Sequence, residues 1–481
     1  MYMQTVKETI EKLFGQYSKA AVSDIEKLQQ SGSDRTYYRI HSSEGSYIAT
    51  HGVNLKENNT FISFSRHFRE CGCPVPAIYA VNDEQTIYIQ EDLGDVSLLN
   101  ELEEKGPNEY VYGLFEKSLK AIAHLQVAGD NGLDYEQCIT SMEFGKQAIV
   151  SDLLYFKYYF LDTLKIPYDK EKLINDFDAL STYLSHVDHK YFMFRDFQSR
   201  NVMVKDGEVY FIDYQGGMKG ALQYDVASLL WQAKAELSDE WKKSLLHYYM
   251  ECVDEILQKP VDANRFESQY NGYVLIRLLQ VLGAYGFRGL FERKAHFLTS
   301  IPLALKNLQW FLKNSSVGIV LPEFERLLGL ITTEEIIHRF ENIKATDETP
   351  LLVTINSFSY KKGIPADVSD NGGGYVFDMR GILNPGRVEE YKTLSGLDKS
   401  VKDFLEQQTD MLVYLNSVYN IIDISVGDYI RRGFNSLAVN FGCTGGQHRS
   451  VYAAEALARH LRNKFRVKIQ LTHTNQANWV K

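Results

Sequence analysis

The sequence predicts an α+β protein with a small antiparallel sheet, a larger helical region and a separate, smaller α/β domain whose sheet is mainly parallel. Three observations support this prediction. The first ninety residues alternate short apolar runs with turn signals. Helical periodicity then dominates from about residue 109 to residue 313. From residue 350 onward, apolar strand candidates alternate with helical stretches, as they do in parallel sheets.

The elements of the first part follow from local patterns. MYMQTVKETIEKLFGQY places its apolar residues at helical spacing and predicts an amphipathic helix. TYYRIHSSEGSYIATHG predicts two strands joined at Ser42 to Gly45, and TIYIQEDLG predicts a third. Within the helical region, YFMFRDFQSRNVMVKDGEVYFIDYQG predicts a strand-turn-strand unit. A sheet lobe therefore precedes a helical lobe.

The second domain is predicted to begin after a connecting segment. Residues 314–349 contain NSSVGIVLP, one helix-like stretch (EFERLLGLITTEEIIHRFENI) and the polar KATDETP. Four strand candidates follow, namely LLVTINSF, GGYVFDMR, SLAVNFGC and VKIQLTHT. The predicted limits are 1–95 for the sheet lobe, 96–315 for the helical lobe, 316–349 for the linker and 350–481 for the α/β domain.

Composition excludes several classes of protein. The five cysteines are scattered without a CxxC spacing, so neither a disulfide framework nor a zinc site is predicted. No apolar run approaches the roughly 18 to 20 residues of a membrane span, and the N-terminus does not read as a signal peptide. A cytoplasmic protein without a membrane partner is expected.

Residues 350–481 carry 16 Lys+Arg against 12 Asp+Glu within a chain of net charge −10, so an anionic partner is expected there.

The stretch FRDFQSRNVMVKDGEVYFID carries a pattern suited to phosphoryl transfer. Asp196 is followed five positions later by Asn201 and twelve positions after that by Asp213. Phosphoryl transfer needs a carboxylate that orients and deprotonates the attacking hydroxyl, and oxygen ligands that hold Mg²⁺ against the phosphates. Asp196 is predicted as the catalytic base, and Asn201 and Asp213 as metal ligands. The alternative is a hairpin whose acidic residues simply face water.

This pattern resembles the aminoglycoside phosphotransferase (choline kinase-like) family over about residues 5 to 315. The resemblance implies a two-lobed protein-kinase-like fold, with ATP and Mg²⁺ as cofactors. The RDFxSRN loop and DxQ segment are most similar to the bacterial anomeric kinases of N-acetylmuramate and N-acetylglucosamine, which implies an amino-sugar substrate and a place in cell-wall recycling. In FIDYQGGMKGALQYDVASLL, Asp225 matches the aspartate that braces the catalytic loop, and Arg195 is assigned to the same support.

The resemblance also assigns nucleotide contacts. SGSDRTYYRI would form the turn over the phosphates, and QEDLG would be the interlobe hinge that bonds adenine through its backbone, with Glu91 facing the adenine. The predicted ATP-binding residues are Ser31, Gly32, Ser33, Gln90, Glu91 and Leu93.

Two departures from the family pattern are visible. Phe194 stands where most relatives have histidine. The strand SYIATHGV lacks the lysine that kinases usually pair with the α- and β-phosphates, and the nearest lysine, Lys56, lies beyond the strand. Another cation, or magnesium alone, must then neutralise the phosphates.

The stretch GCTGGQHRSVYAAEALARHL places a glycine-rich turn between a strand and an amphipathic helix. Unpaired N–H groups at a helix start, the helix dipole and an arginine together favour an anion. The alternative is that the glycines merely permit tight packing of strand and helix. The predicted pocket residues are Ser357, Asp378, Arg380, Cys443, Thr444, Gly445, Gly446, Gln447, His448 and Arg449.

The same stretch also fits a cysteine phosphatase loop. Cys443 and Arg449 have five residues between them and Ser450 follows, which is the C-x5-R-[ST] spacing of that class, with Asp378 as the candidate acid.

Four segments, TINSFSYKKGIP, YVFDMRGILNPG, LSGLDKSV and FGCTGGQHRSVYAAEALA, resemble in order and spacing the C-terminal domain of the RNase adapter protein RapZ family, over about residues 350 to 476. In that family the domain senses an amino-sugar phosphate and binds small regulatory RNA, beside a P-loop NTPase domain. Because the kinase-like lobes replace the NTPase domain here, the resemblance implies a pocket for an amino-sugar phosphate and leaves RNA binding open.

A third interpretation is an RNA-binding adapter with a degenerate kinase lobe. Asp196, Asn201 and Asp213 argue against degeneracy, and the missing lysine argues for it.

Overall fold

The computed structural model describes residues 2–28, 35–291, 295–298, 300–341, 343–367 and 373–480. By their internal contacts the residues divide into two compact units. The first consists of Met1–Phe287 and Ser300–Arg339, and the second of Arg288–Thr299 and Phe340–Lys481. Each unit is described by itself.

The helices and strands of the described residues are numbered in chain order. The α-helices are α1 (Tyr2–Tyr17), α2 (Leu55–Glu70), α3 (Leu98–Lys105), α4 (Glu109–Ala128), α5 (Lys146–Tyr159), α6 (Lys170–Ser185), α7 (Leu222–Leu230), α8 (Asp239–Leu257), α9 (Ala263–Tyr285), α10 (Ala295–Leu298), α11 (Ile301–Asn314), α12 (Pro322–Ile331), α13 (Glu334–Phe340), α14 (Lys399–Gln407), α15 (Met411–Arg432) and α16 (Arg449–Phe465). The strands are β1 (Val22–Lys27), β2 (Thr36–Ser42), β3 (Gly45–His51), β4 (Ile78–Val81), β5 (Ile87–Glu91), β6 (Lys190–Met193), β7 (Val202–Lys205), β8 (Glu208–Phe211), β9 (Met218–Ala221), β10 (Leu352–Ser359), β11 (Tyr375–Asp378), β12 (Ser436–Cys443) and β13 (Lys468–His473).

The first unit opens with an antiparallel sheet in the order β1-β2-β3-β5-β4. Side chains alternate between its two faces, as they must in a strand. Tyr38 and Ile40 of β2 join the core formed with α1, whereas Tyr37 and Arg39 of the same strand line a cleft on the other face. The predicted hairpin at Ser42 to Gly45 is confirmed. Strands β1 and β4, which the sequence did not predict, complete the edges of this sheet.

The helical part of the first unit holds two small antiparallel pairs, β6 with β9 and β7 with β8. The loop 194–201 joins β6 to β7, and the loop 212–217 joins β8 to β9. These pairings therefore bring together two loops that carry the predicted catalytic and metal-binding residues. Helix α9 packs against α5, α7 and α11 behind them.

Two further stretches of the chain have features that the sequence did not predict. The stretch 316–349 contains α12 and α13, and α12 is tied to α6 because the Phe324 backbone N–H donates to Asp176 Oδ2 at 2.9 Å. The helical stretch Ala263–Phe291 is, among the described residues, long and apolar enough to cross a membrane by length and composition, and 56% of its most apolar window is buried inside the protein.

The second unit is built on a parallel sheet in the order β11-β12-β10-β13. Buried aliphatic and aromatic residues of the central strands, such as Val353 and Val439, form a core with α14, α15 and α16. The predicted mainly parallel sheet is confirmed. Since all four strands run the same way, their carboxyl ends at Ser359, Asp378, Cys443 and His473 share one edge, which is where open parallel sheets bind ligands.

Candidate active site and anion pocket

The loop between β6 and β7 is held by a buried aspartate. Asp225 of α7 is fully buried and accepts the backbone N–H groups of Phe194 and Arg195 at 2.7 and 3.0 Å, and the Gln126 amide at 2.8 Å. Burial raises the pKa of Asp225 to about 7, although these three donors favour the carboxylate. Asp225 thus fixes the start of the loop 194–201, in which the sequence predicts the catalytic base.

Arg195 has a left-handed backbone, with φ of 78°. Its guanidinium donates to Asp152 at 2.7 Å and to the Tyr224 hydroxyl at 2.8 Å, and it lies over the Phe144 ring. A non-glycine residue in this region costs about 1–3 kcal/mol, so the surrounding bonds must hold it there.

Asp196 lies between two arginines. Its carboxylate accepts Arg277 Nη2 at 3.0 Å and Arg200 Nη2 at 3.1 Å, and Gln198 donates to it as well. Burial alone would raise the pKa of Asp196, but Arg277 and Arg200 together hold it below its ordinary value. Asp196 is therefore ionised at neutral pH.

Arg277 comes from α9, which is 81 residues away in sequence from Asp196, and sequence reasoning missed it. It is the lone charged residue in the apolar stretch GYVLIRLLQVLGAY. A charged residue in such a stretch is rarely buried without a partner, so this isolation is the sequence feature that could have identified Arg277.

Asn201 and Asp213 line the same cleft, whose cavity is about 350 Å³. The Asn201 amide donates to the Asp196 carbonyl at 2.9 Å, which directs the amide nitrogen inward and leaves the side-chain oxygen for another partner. Asp213, with a left-handed φ of 71°, accepts the Gln215 amide at 2.9 Å. Among the described residues no group of three or more His, Cys, Asp and Glu side chains could hold a metal ion. One carboxylate and one amide oxygen beside phosphates nonetheless fit Mg²⁺, which usually keeps several waters and takes few protein ligands.

The predicted hinge residues border the same cavity. Gln90, Glu91 and Leu93 line it at the end of β5. The Glu91 N–H donates to the Ala77 carbonyl at 2.9 Å, and its carboxylate accepts the Ala77 N–H at 3.3 Å, so its amide and side chain are occupied. Ser31, Gly32 and Ser33 lie outside the described residues.

In the second unit, the turn after β12 closes around the Cys443 thiol. Sγ accepts the Gly446 N–H at 3.2 Å and lies 3.2 Å from Ser450 Oγ, and the side chain is buried. Thr444 and Gly445 are exposed at the sheet edge, whereas Gly446, with φ of 64°, is buried against Ser359.

Arg449 lies at the first position of α16 and is buried. Its Nη1 donates to the carbonyls of Ile382 and Arg380 at 2.7 and 3.1 Å, and it thereby anchors the turn after β11. Burial lowers the pKa of Arg449. Its Nε is also buried and has no hydrogen-bond acceptor within the described parts of the chain.

The side chains of Gln447 and His448 turn away from the sheet edge. Gln447 donates to the Leu394 carbonyl at 2.7 Å and accepts the Val480 N–H, and His448 Nε2 lies 2.8 Å from the Tyr391 carbonyl. Both residues therefore brace the loop, and a ligand at the edge would meet their backbone.

Asp378 and Arg380 form an exposed pair at the end of β11, joined at 2.6 Å, with the guanidinium 4.0 Å from the Tyr360 ring centroid. Ser357 is buried within β10 and bonds His473 Nδ1 at 2.8 Å, so it supports the sheet and does not face its edge.

Two residues that sequence reasoning missed hold the glycine turn. Asn475 donates to the Gly445 carbonyl at 2.6 Å, and Trp479 Nε1 donates to the Gly446 carbonyl at 2.8 Å.

Comparison with known proteins gives two family matches. Residues 24–256 match the model of the phosphotransferase enzyme family, and residues 351–477 match that of the RapZ C-terminal domain. A nucleotide-binding protein of Xylella fastidiosa strain M12 is 38% identical over 127 residues, which is 26% of this chain and 42% of that protein. One from Clostridium botulinum strain Eklund 17B is 39% identical over 136 residues, which is 28% of this chain and 44% of that protein. The chain thus spans about two fifths of the length of the curated relatives it matches.

Two solved structures illustrate the similarity in fold. Choline kinase LicA from Streptococcus pneumoniae has a TM-score of 0.43 at 15% identity, covering 64% of this chain and 100% of that chain. A choline/ethanolamine kinase family protein from Mesorhizobium loti has a TM-score of 0.44 at 12% identity, covering 68% and 99%. On the family matches, the chain carries a domain of the phosphotransferase enzyme family over residues 24–256 and a RapZ C-terminal domain over residues 351–477.

Proposed function

We propose that the chain is an ATP- and Mg²⁺-dependent kinase that phosphorylates a hydroxyl of an N-acetylated amino sugar, and that its C-terminal domain binds an amino-sugar phosphate. The observation that carries the kinase proposal is that Asp196, Asn201 and Asp213 come together on two adjoining loops, Asn201 and Asp213 lining the cleft that the hinge residues border.

In the proposed reaction, Asp196 orients the acceptor hydroxyl and takes its proton while the oxygen attacks the γ-phosphorus of ATP. The bond between the γ-phosphorus and the bridging oxygen breaks, and ADP leaves with that electron pair. Asn201 and Asp213 would hold Mg²⁺, which supplies positive charge to the phosphate oxygens. Asp225 and Arg195 keep the loop in place throughout.

The charges around Asp196, where the acceptor hydroxyl is proposed to bind, favour a neutral or acidic sugar as the substrate. Arg277 and Arg200 both contact the Asp196 carboxylate, so two guanidinium groups surround one carboxylate. Such a site repels a cationic acceptor such as choline or an aminoglycoside, and an N-acetyl group removes the charge of a sugar amine. A carboxylate-bearing sugar such as N-acetylmuramate would gain an attractive contact.

ATP consumption by the purified full chain tests the kinase proposal. We expect ADP release with N-acetylmuramate or N-acetylglucosamine, and none above background with kanamycin or choline. Asp196→Asn should abolish the release, while Asp178→Asn, which alters an exposed aspartate paired with Lys146 on the surface, should not. Turnover of choline in preference to both sugars would reject the amino-sugar assignment.

For the C-terminal domain, a binding role is favoured over a cysteine phosphatase. A phosphatase loop needs its arginine to face the phosphate beside an accessible thiolate. Here the Cys443 thiol is buried and receives two short contacts, and Arg449 Nη1 is committed to two backbone carbonyls. The remaining Nε and the exposed turn at Thr444 and Gly445 suit an anion that is bound without being cleaved. RNA binding has no separate support among the described contacts.

A further inference from the structure

The nucleotide cleft lacks the usual lysine but contains a buried arginine. Strand β3, with the sequence GSYIATH, has no lysine. The ammonium group of the nearest lysine, Lys56, donates a hydrogen bond to the Ile139 carbonyl at 2.9 Å. Arg39 also lines the cleft, but its guanidinium is engaged by Asp92 at 2.8 Å and by Asp95 at 2.7 Å. Arg35 is the other cationic side chain among the described residues that line the cavity, and it is the one that lies beside Asp213, with Nη2 3.7 Å from Oδ1.

Arg35 is held in the way that a phosphate-binding lysine is held in kinases. It directly precedes β2, and 4% of its side chain is exposed. Its Nη2 lies 2.7 Å from Glu57 Oε1 in the first turn of α2, and its Nη1 donates to the Tyr88 hydroxyl at 3.3 Å. Kinases fix their strand lysine with a glutamate of the helix that packs on the sheet, and Glu57 occupies that helix here.

Arg35 also adjoins the predicted cation site. Its Nη2 lies 3.7 Å from Asp213 Oδ1, and the Gln215 amide bridges Asp213 and Glu57 at 2.9 and 3.3 Å. Two carboxylates thus surround one guanidinium. Because phosphates that approach Asp213 through a metal ion must come within a few ångströms of this group, its planar array of donors would meet their oxygens.

We propose that Arg35, positioned by Glu57, binds the α- and β-phosphates of ATP in place of the missing strand lysine. This inference rests on the proposed kinase function. It also names a residue and a helix that the sequence pattern did not identify, since the arginine and its glutamate are 22 positions apart and lie in different elements.

The test compares binding of ATP with binding of adenosine, which lacks phosphates, by isothermal titration in the presence of Mg²⁺. Arg35→Met should weaken ATP binding roughly 10- to 100-fold, the worth of a charge-assisted contact, and leave adenosine binding unchanged. Arg35→Lys should recover part of the loss. Lys56→Met is the matched control and should bind both ligands as the parent does.

Glu57→Gln provides a second variant that keeps the arginine and removes the charge of its nearer ion-pair partner. It should weaken ATP binding without affecting adenosine, and thermal melting should confirm that each variant is folded. Parallel loss of ATP and adenosine binding, or loss of ATP binding in Lys56→Met, would overturn the assignment of Arg35. Binding needs no sugar, so a parent protein that binds ATP through Arg35 but phosphorylates no acceptor would reject the kinase proposal alone.

Discussion

Asp196 is the residue on which the proposed transfer depends most directly. Replacing it with alanine should lower kcat on the order of a hundredfold or more, because the acceptor hydroxyl loses both its orienting partner and its base. The KM for ATP should change little, since ATP is proposed to bind on the cleft side of the loop. Steady-state kinetics with the preferred sugar measures both quantities, and near-normal turnover would remove Asp196 from the mechanism.

Substitution of Asp213 tests the proposed metal binding separately from the proposed base catalysis by Asp196. Asp213→Ala should eliminate turnover and weaken the Mg²⁺ dependence of ATP binding, because the change removes the one carboxylate among the two predicted metal ligands. Titration of ATP with and without Mg²⁺ measures this effect. An unchanged response to Mg²⁺ would assign the metal to other residues.

Arg277 should act on the reaction through Asp196. It lowers the pKa of the Asp196 carboxyl together with Arg200. Arg277→Met should therefore raise that pKa and move the acidic limb of the kcat profile to higher pH, since the base works in its ionised form. Arg265→Met, on the same helix but paired with Asp188 at the surface, should leave the profile in place. A lower rate with an unshifted profile would indicate a purely structural role.

At the scale of the elements, the turn between β12 and α16 contains two glycines that differ in backbone conformation and in the space around them. A Cβ on Gly446 would lie 2.9 Å from the Ser359 nitrogen, at a φ of 64°, whereas a Cβ on Gly445 would meet nothing within 4 Å. We expect Gly446→Ala to destabilise this unit by about 1–2 kcal/mol or more and Gly445→Ala to be nearly neutral. Calorimetric unfolding of the full chain measures both effects, and equal melting of the two variants would show that the turn adapts.

Two substitutions in the same turn test whether this unit binds a sugar phosphate or hydrolyses it. Cys443→Ser should bind glucosamine 6-phosphate nearly as well as the parent, while Arg449→Ala should lose roughly 1.5–3 kcal/mol of binding free energy. Isothermal titration gives the affinities, and a phosphate-release assay runs beside it. Release that disappears in Cys443→Ser would favour the phosphatase. Because Arg449 also anchors two carbonyls, its variant requires a melting curve as a control.

For the whole molecule, His448 makes stability depend on pH. Burial lowers its pKa below the ordinary 6.5, so the unfolded chain binds a proton more readily than the folded one. The contribution of neutral His448 to the free energy of unfolding is complete above pH 6.5. It is lost as the pH falls through the lowered pKa of the folded state. Asp225, with a raised pKa of about 7, acts in the opposite sense. The difference in melting temperature between the parent and His448→Gln should therefore shrink between pH 7.5 and pH 5.5.

The sequence predicted what depends on local pattern. The hairpin at Ser42 to Gly45, the alternation of strands with helices after residue 350 and the order of the loop residues around Asp196 are all encoded within short stretches. Periodicity and turn composition report on such neighbours directly.

Contacts between distant elements could not be predicted in this way. Arg277 reaches Asp196 from α9, and Trp479 reaches the Gly446 carbonyl from beyond β13. Neither residue carries a motif, because its role is set by how whole elements pack. The same limit applies to Gln447 and His448. The motif predicts both in the pocket, but it does not reveal that their side chains turn toward Leu394 and Tyr391.

The register of the parallel sheet has a consequence for the order of folding. Asn356 of β10 pairs with Asn440 of β12, 84 residues later, and their side chains bond at 2.9 Å. The sheet of the first unit instead contains the β2-β3 hairpin, whose turn between Ser42 and Gly45 has two residues. Closing a long loop carries a larger entropic penalty and slows folding, so during refolding the β2-β3 hairpin should form well before the β10-β12 pairing. Pulsed hydrogen exchange should show early protection of the Ile40 amide and late protection of the Val439 amide.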